Sequence, residues 1–145
     1  MIVNSIGALG EHEPPIIIIE MGTATTMSVI DKNSRYIGGA ILPGLRVSLD
    51  SMSSNTAQLP RISLDTPKKV IGKNTVDCMR SGVIFGNAAM IDGMLSRIEE
   101  ELGGPATVIA TGGIAKAVLP LCSHNIIYDG ALLLKGLLAL YEKNK

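Results

Sequence analysis

The sequence predicts a single α/β domain: a mixed β-sheet flanked by helices, in the order strand, strand, strand, helix, strand, helix, strand, helix. Three observations carry that expectation. Ile16-Ile17-Ile18-Ile19 is a run of β-branched residues between Pro14-Pro15 and a glycine turn, as expected of a strand buried on both faces. Two more strand-like stretches follow it, each set off by a turn. A further short apolar stretch runs into Thr111-Gly112-Gly113 and then into a helical pattern, a strand-turn-helix passage. At 145 residues the chain is long enough for one domain with a substantial core.

Taken in order, Ile2 to Leu9 reads as the tail of a helix, closed by Gly10 and stopped by Pro14-Pro15. After the isoleucine strand, Gly22 begins a turn into Met27-Ser28-Val29-Ile30. Asp31 to Ser34 forms the next turn, and Arg35 to Ile41 a third strand. Gly38-Gly39 within it marks either a bulge or a close approach of another backbone or a ligand. Pro43-Gly44 opens a helix with Leu45, Leu49 and Met52 on one face, running to about Ala57 and ended by Leu59-Pro60. Arg61 to Lys73 has no clear period and reads as an exposed connection long enough to be a functional loop.

Asn74-Thr75 precedes the longest helical pattern, Val76 to about Leu102, with Thr75 as the expected cap and Asp77 in the first turn. Ile91, Leu95, Ile98 and Leu102 make its apolar face, while Gly82, Gly86, Ala89 and Gly93 make a stripe of small residues. Glycine inside a helix costs roughly 1 kcal/mol relative to alanine. A tight helix pair, within the fold or across a dimer, is the expected compensation. Gly103-Gly104-Pro105 ends the helix; Ala106 to Ala110 is a short buried strand, Ile114 to Leu119 a short helix, Ile126 to Tyr128 a strand and Ala131 to Glu142 a leucine-rich helix.

Composition narrows the function classes. Thirteen basic residues balance thirteen acidic ones, which argues against a nucleic-acid or anionic membrane surface as the main partner. One Phe, three Tyr and no Trp leave little for stacking on bases. Hydrophobic residues reach 46%, yet no run approaches the roughly 18 apolar residues of a membrane span. With no secretory signal in Met1 to Gly10, a soluble cytoplasmic protein is expected. Cys78 and Cys122 fit no CxxC spacing and read as buried thiols, and His12 and His124 stand alone, so no zinc site is expected. Gly72-Lys73 is followed by Asn74, which breaks the phosphate-loop signature, and no GxGxxG or Gly-x-Ser-x-Gly is present. Asp92 reads as a solvated helix position and Asp129 as a turn or cap residue.

What remains is the pair of glycine-threonine turns. At the first, Gly22 lets a ligand approach the backbone, Thr23, Thr25 and Thr26 offer hydroxyls, and Glu20 offers a negative charge to a cation; a plain hairpin is the competing reading. At the second, backbone N–H groups at a helix start suit a phosphate or nucleotide. The element order suits the ribonuclease-H-like half of the actin, hexokinase and Hsp70 ATPase superfamily, in which ATP lies between two such halves.

Six blocks sharpen this: Glu20-Met21-Gly22-Thr23-Ala24-Thr25-Thr26, Gly38 to Leu45, Leu59-Pro60, Ile71 to Thr75, Thr111-Gly112-Gly113 and Leu132 to Leu137. In that order, over nearly the whole chain, they resemble the C-terminal half of a type III pantothenate kinase. The resemblance implies ATP-dependent phosphorylation of pantothenate, the first step of coenzyme A synthesis, using ATP with Mg2+ and a monovalent cation, potassium or ammonium, in a homodimer. By the same resemblance Glu20 takes the place of a cation-binding aspartate, Gly22 and Thr23 contact ATP, Thr75 contacts pantothenate, and Thr111, Gly112 and Gly113 lie by the adenosine end of the nucleotide. Glu20 stands where the family usually has Asp, and Ser28 where many members carry another Asp. No catalytic residue is assigned within the chain: the general-base Asp is expected upstream of Met1, residues 1–14 as a remnant of a linking helix, and the N-terminal kinase half as absent. The isolated domain is therefore expected to be inactive, with an apolar surface left uncovered and self-association as its consequence. A non-catalytic dimerisation or nucleotide-binding module, or an accessory factor for transcription, is the alternative.

Overall fold

The computed structural model describes residues 1–55 and 65–145, with the side chains of 53–55 left out; Leu59-Pro60 and the end of the helix expected near Ala57 lie outside the described residues. Helix α1 (Ile2–Leu9) leads into strands β1 (Ile16–Met21), β2 (Ala24–Ile30) and β3 (Tyr36–Pro43), then helices α2 (Leu45–Asn55) and α3 (Thr75–Leu102). Strand β4 (Thr107–Thr111), helix α4 (Ala115–Val118), strand β5 (Ile126–Tyr128) and helix α5 (Leu132–Lys143) complete it, with a 3-10 turn over Leu119–Leu121. The expected α/β layout with a mixed sheet and flanking helices is present. The helix expected over Ile2 to Leu9 lies before β1, and the two helices expected after Pro43 and after Thr75 lie between β3 and β4.

The five strands lie in the order β3-β2-β1-β4-β5. β1 pairs antiparallel with β2 and β2 with β3, whereas β1 with β4 and β4 with β5 run parallel. β1 is the central strand, and its isoleucine run has a direct physical basis. Ile17, Ile19 and Met21 pack into the core under α2 and α3, while Ile16 and Ile18 pack with Ala8, Ile30, Ile109 and Leu132 in the smaller core under α1 and α5. All four isoleucines are 0% exposed, each stabilising the fold by about 1.5–3 kcal/mol on burial. The two glycines of β3 answer both readings given above: the register of β2 and β3 shifts at Val29/Ile30 beside Gly38, and Gly39 lies against the backbone of Met27.

Within the chain, the tight helix pair does not involve the glycine stripe of α3. Gly82, Gly86, Ala89 and Gly93 lie on the exposed side of α3, and a Cβ on any of its three glycines would meet nothing within 4 Å among the described residues. The close pair is α1 with α5, where Gly136 abuts the Val3 carbonyl and a Cβ on Gly7 would lie 2.6 Å from the Leu132 carbonyl oxygen. Only hydrogen fits there. The cap of α3 is Asn74, extended at φ −146° and ψ 169°, which accepts the Asp77 N–H at 2.9 Å; Thr75, expected as the cap, is the first helical residue. Cys78 is exposed rather than buried, because it lies one residue before the inward-facing Met79; Cys122 is half-buried, and burial pushes its thiol up to about 11.

Replacing Ile18 with alanine is expected to lower stability by about 2–5 kcal/mol in urea unfolding, whereas the same change at Ile41, 73% exposed on β3, should stay within about 0.5 kcal/mol.

Candidate active site

The parallel strands place their carboxyl ends at one edge of the sheet. Glu20 at the end of β1 lies opposite Thr111 at the end of β4, and Ala110 lies opposite Tyr128 at the end of β5. In open α/β sheets this edge is where ligands bind. Here it opens into a cleft of about 330 Å³ lined by Glu20, Met21, Gly22, Thr111, Gly112 and Gly113, with Asn4 of α1, Tyr128, Gly130 and Leu133 of α5 around them. Five of the seven residues singled out in the sequence, Glu20, Gly22, Thr111, Gly112 and Gly113, are thus brought together. Thr23 follows on the same turn and is exposed.

Gly112 makes the second turn possible. Its φ of +108° belongs to glycine, and a Cβ on it would strike the Met21 carbonyl at the end of β1. The two turns touch through bare backbone. Of the three threonine hydroxyls expected at the first turn, that of Thr26 is spent donating to Glu20 Oε2 at 2.9 Å, and that of Thr25 is buried with no partner among the described residues. Thr23 keeps its hydroxyl at the surface. The Glu20 side chain is 27% exposed, and the Met1 amino group lies 3.7 Å from the same Oε2.

Sequence reasoning missed Asn4 and Tyr128. Asn4 is 3% exposed, and its Oδ1 has no hydrogen-bond donor among the described residues. A buried amide oxygen left without a donor is uncommon and costs about 1–3 kcal/mol, so an oxygen acceptor stands ready at the edge of the Glu20 cleft. Tyr128 stands at the cleft wall with the Lys116 ammonium 5.2 Å from its ring centroid. Its position at the end of a short strand, Ile126–Tyr128, is the sequence signal that could have found it. Ser28 is 1% exposed on the same sheet face as Thr26, its Oγ has no hydrogen-bond partner among the described residues, and it does not line the cleft.

Thr75 is not brought to this cleft. It is exposed at the head of α3, between Lys73 and Asp77, which line a second depression of about 470 Å³ with Lys68 and Lys69.

Asp92, read from the sequence as a solvated helix position, is a structural anchor. It accepts the N–H of Ser123 at 2.7 Å, the N–H of His124 at 3.0 Å and the His124 ring Nδ1 at 2.9 Å. Partial burial works against its charge, but these donors outweigh it and hold the carboxyl below the usual carboxylate range. Asp129 is the turn residue expected, accepting the Ala131 N–H at 2.9 Å and the Lys135 ammonium at 2.8 Å.

The comparisons with known proteins follow this geometry. The sequence model of the type III pantothenate kinase family matches residues 1–97. The chain belongs to that family. Among type III pantothenate kinases, that of Exiguobacterium sibiricum is 45% identical over 99% of this chain, and that of Thermus thermophilus 44% over 97%. The chain spans 56% of the length of each, and corresponds to the C-terminal half of the family. Among solved structures, one described as a "conserved putative Baf family transcriptional activator" from Campylobacter jejuni superposes with a TM-score of 0.68 at 25% identity, covering 98% of this chain and 64% of that one. A filament structure of Alp12 superposes at 0.66 with 11% identity, covering 97% and 52%, a likeness of fold alone. No helix among the described residues is long and apolar enough to cross a membrane.

Asp92→Ala leaves the Ser123 and His124 N–H groups without their acceptor and is expected to cost about 1–3 kcal/mol at neutral pH. Because the folded carboxyl titrates below its ordinary value, its stabilisation is complete above about pH 5 and is lost as the pH falls through the folded value. The wild-type and variant unfolding free energies should therefore converge in acid, as measured by urea titrations across pH.

Proposed function

We propose that this chain forms the C-terminal wall of a type III pantothenate kinase active site, which transfers a phosphoryl group from ATP to pantothenate once a complementary half is joined to it. The observation that carries this reading is the convergence of Glu20, Gly22 and Thr111-Gly112-Gly113 on one cleft at the carboxyl ends of β1 and β4. Gly22 and Thr23 offer bare backbone and a hydroxyl to the phosphates, and Thr111, Gly112 and Gly113 line the adenosine end. Glu20 holds a monovalent cation, potassium or ammonium, and Asn4 Oδ1, which has no partner among the described residues, adds a second oxygen at the same cleft; oxygen donors alone suit such a hard ion. That cation and the Mg2+ carried by ATP offset the negative charge of the phosphates. Thr75 contacts pantothenate. With the cap of α3 supplied by Asn74, its hydroxyl is not spent on the helix end.

Phosphoryl transfer depends on positioning and charge stabilisation from both sides of the reacting groups, so one wall without a general base gives little turnover. We propose further that the fold is of the ribonuclease-H-like type, in line with an antiparallel β3-β2-β1 unit continued by parallel β4 and β5. The protein acts in the cytoplasm as a homodimer through the exposed glycine side of α3. Bulk placed there by Gly86→Leu should then yield monomers in sedimentation without loss of fold, since a Cβ at Gly86 meets nothing within 4 Å among the described residues. A role as an accessory factor for transcription is favoured only by the description of the Campylobacter jejuni structure, and the balanced charge speaks against direct contact with DNA. A DNA gel shift at physiological salt would reverse that preference.

The deciding experiment measures ATP-dependent phosphorylation of pantothenate in potassium, by the chain alone and by the chain joined behind the N-terminal half of the Exiguobacterium sibiricum kinase. The joined protein should turn over, and Glu20→Ala should reduce its rate by at least about 100-fold and remove its dependence on potassium. Ordinary kinase turnover by the chain alone would defeat the one-wall reading.

A further inference from the structure

Away from the Glu20 cleft, on the other face of the sheet, a cavity of about 430 Å³ lies between the β2–β3 pair and the C-terminal part of α3. Val29, Ile37 and Ala40 form its strand side, and Met94, Ile98 and Leu102 its helix side. Val29 pairs with Ile17, which packs into the core under α2 and α3, whereas the cleft opens where Glu20 pairs with Thr26. The two share no lining residue. The volume of the cavity is that of a small-molecule site, and such sites are apolar hollows with a few converging polar groups.

The hollow owes its shape to a bulge. Pairing of β2 with β3 passes from Val29 with Gly38 to Ile30 with Tyr36, which leaves Ile37 as an extra residue without a partner across the ladder. A bulged residue bends its strand and re-aims its side chain. Ile37 lines the cavity and is 56% exposed. Gly38 beside it has a φ of +121°, and a Cβ there would meet nothing within 4 Å among the described residues, so bare backbone borders open space.

Two opposite charges converge on this apolar hollow. Arg97 and Glu101, one turn apart on α3, both line it and both are exposed. Residues four apart on a helix commonly pair, yet these two do not, and neither forms an ion pair with any other described residue. A guanidinium suits a carboxylate, which it can hold with two parallel N–H donors, and the Glu101 carboxylate suits an ammonium. A small zwitterion with an apolar body answers both charges and the hollow together.

We propose that this cavity binds a free α-amino acid with a large apolar side chain, its carboxylate on Arg97, its ammonium on Glu101 and its side chain between Ile37, Met94 and Ile98. A plain apolar carboxylate would set a like charge against Glu101, and a plain apolar amine would set one against Arg97, so the pair of charges selects the zwitterion. The site stands apart from the cleft and does not depend on the kinase reading.

The test titrates phenylalanine and leucine into the isotope-labelled chain and follows its backbone amides by NMR. Saturable shifts should appear at Gly38, Ala40, Ile98 and Leu102, with none at Gly112 or Gly113 of the cleft. Hydrocinnamate, which lacks the ammonium of phenylalanine, and phenethylamine, which lacks its carboxylate, should each bind at least about tenfold more weakly. Arg97→Gln and Glu101→Gln should each raise the dissociation constant for phenylalanine at least about tenfold while leaving the remaining amides in place, since both side chains are exposed and without ion pairs among the described residues. Ile37→Asp should abolish binding. No saturable shift with either amino acid at its solubility limit would overturn the proposal. So would binding that Arg97→Gln and Glu101→Gln leave unchanged, or hydrocinnamate binding as tightly as phenylalanine, which would make the cavity a site for apolar anions at large.

Discussion

Alternation along β1 governs the position of the acid at its end. Ile16 and Ile18 face α1 and α5, Ile17 and Ile19 face α2 and α3, and Glu20 therefore emerges on the α1 side, beside Thr26 and at the edge of the cleft that Asn4 lines. A slip of one residue would turn the Glu20 carboxylate into the α2–α3 core and displace one isoleucine from its layer, so an unpaired buried charge together with lost apolar burial fixes the register. The parallel partner then does the rest. Because β4 stops opposite Glu20, its turn at Gly112 can fold back over the Met21 carbonyl, and two segments about ninety residues apart share one site.

The cleft is built from one side of a sheet. Its floor is strand ends and its rim is the α1–α5 layer, held so closely by two glycines that any displacement of α5 carries Val3, and with it the turn of α1 bearing Asn4. The second helical layer is different in kind. α3 buries Ile84, Ile91 and Leu95 against the sheet and leaves its glycines bare on the far side.

Much of this was legible in the residues. A four-isoleucine strand, two glycine-threonine turns and a helix of 28 residues each carry a local signature, and two of the six family blocks, Glu20 to Thr26 and Thr111 to Gly113, fall on the turns that meet at the cleft. What escaped was decided by partners distant in sequence or by backbone angles. Asn74 and Thr75 are both good capping residues, and only the extended conformation of Asn74 selects between them. Asp92 looked solvated because its donors come from residues 31 and 32 positions later. Asn4 lies in an ordinary apolar helical stretch, and its value arises from where α1 lands. Within the chain the close helix pair is made by Gly7 and Gly136, whose partners lie more than a hundred residues apart, and not by the glycine stripe of α3.

The Asp92 clasp has a consequence for the order of assembly. The carboxylate binds backbone groups of the segment just before β5, so that strand acquires its anchor only after α3 has taken its place on the sheet. Closing this long loop costs chain entropy that neither β5, at three residues, nor the turn before it can offset alone. β5 therefore joins after α3, and α5, next in the chain, completes the rim of a cleft whose floor the ends of β1 and β4 supply.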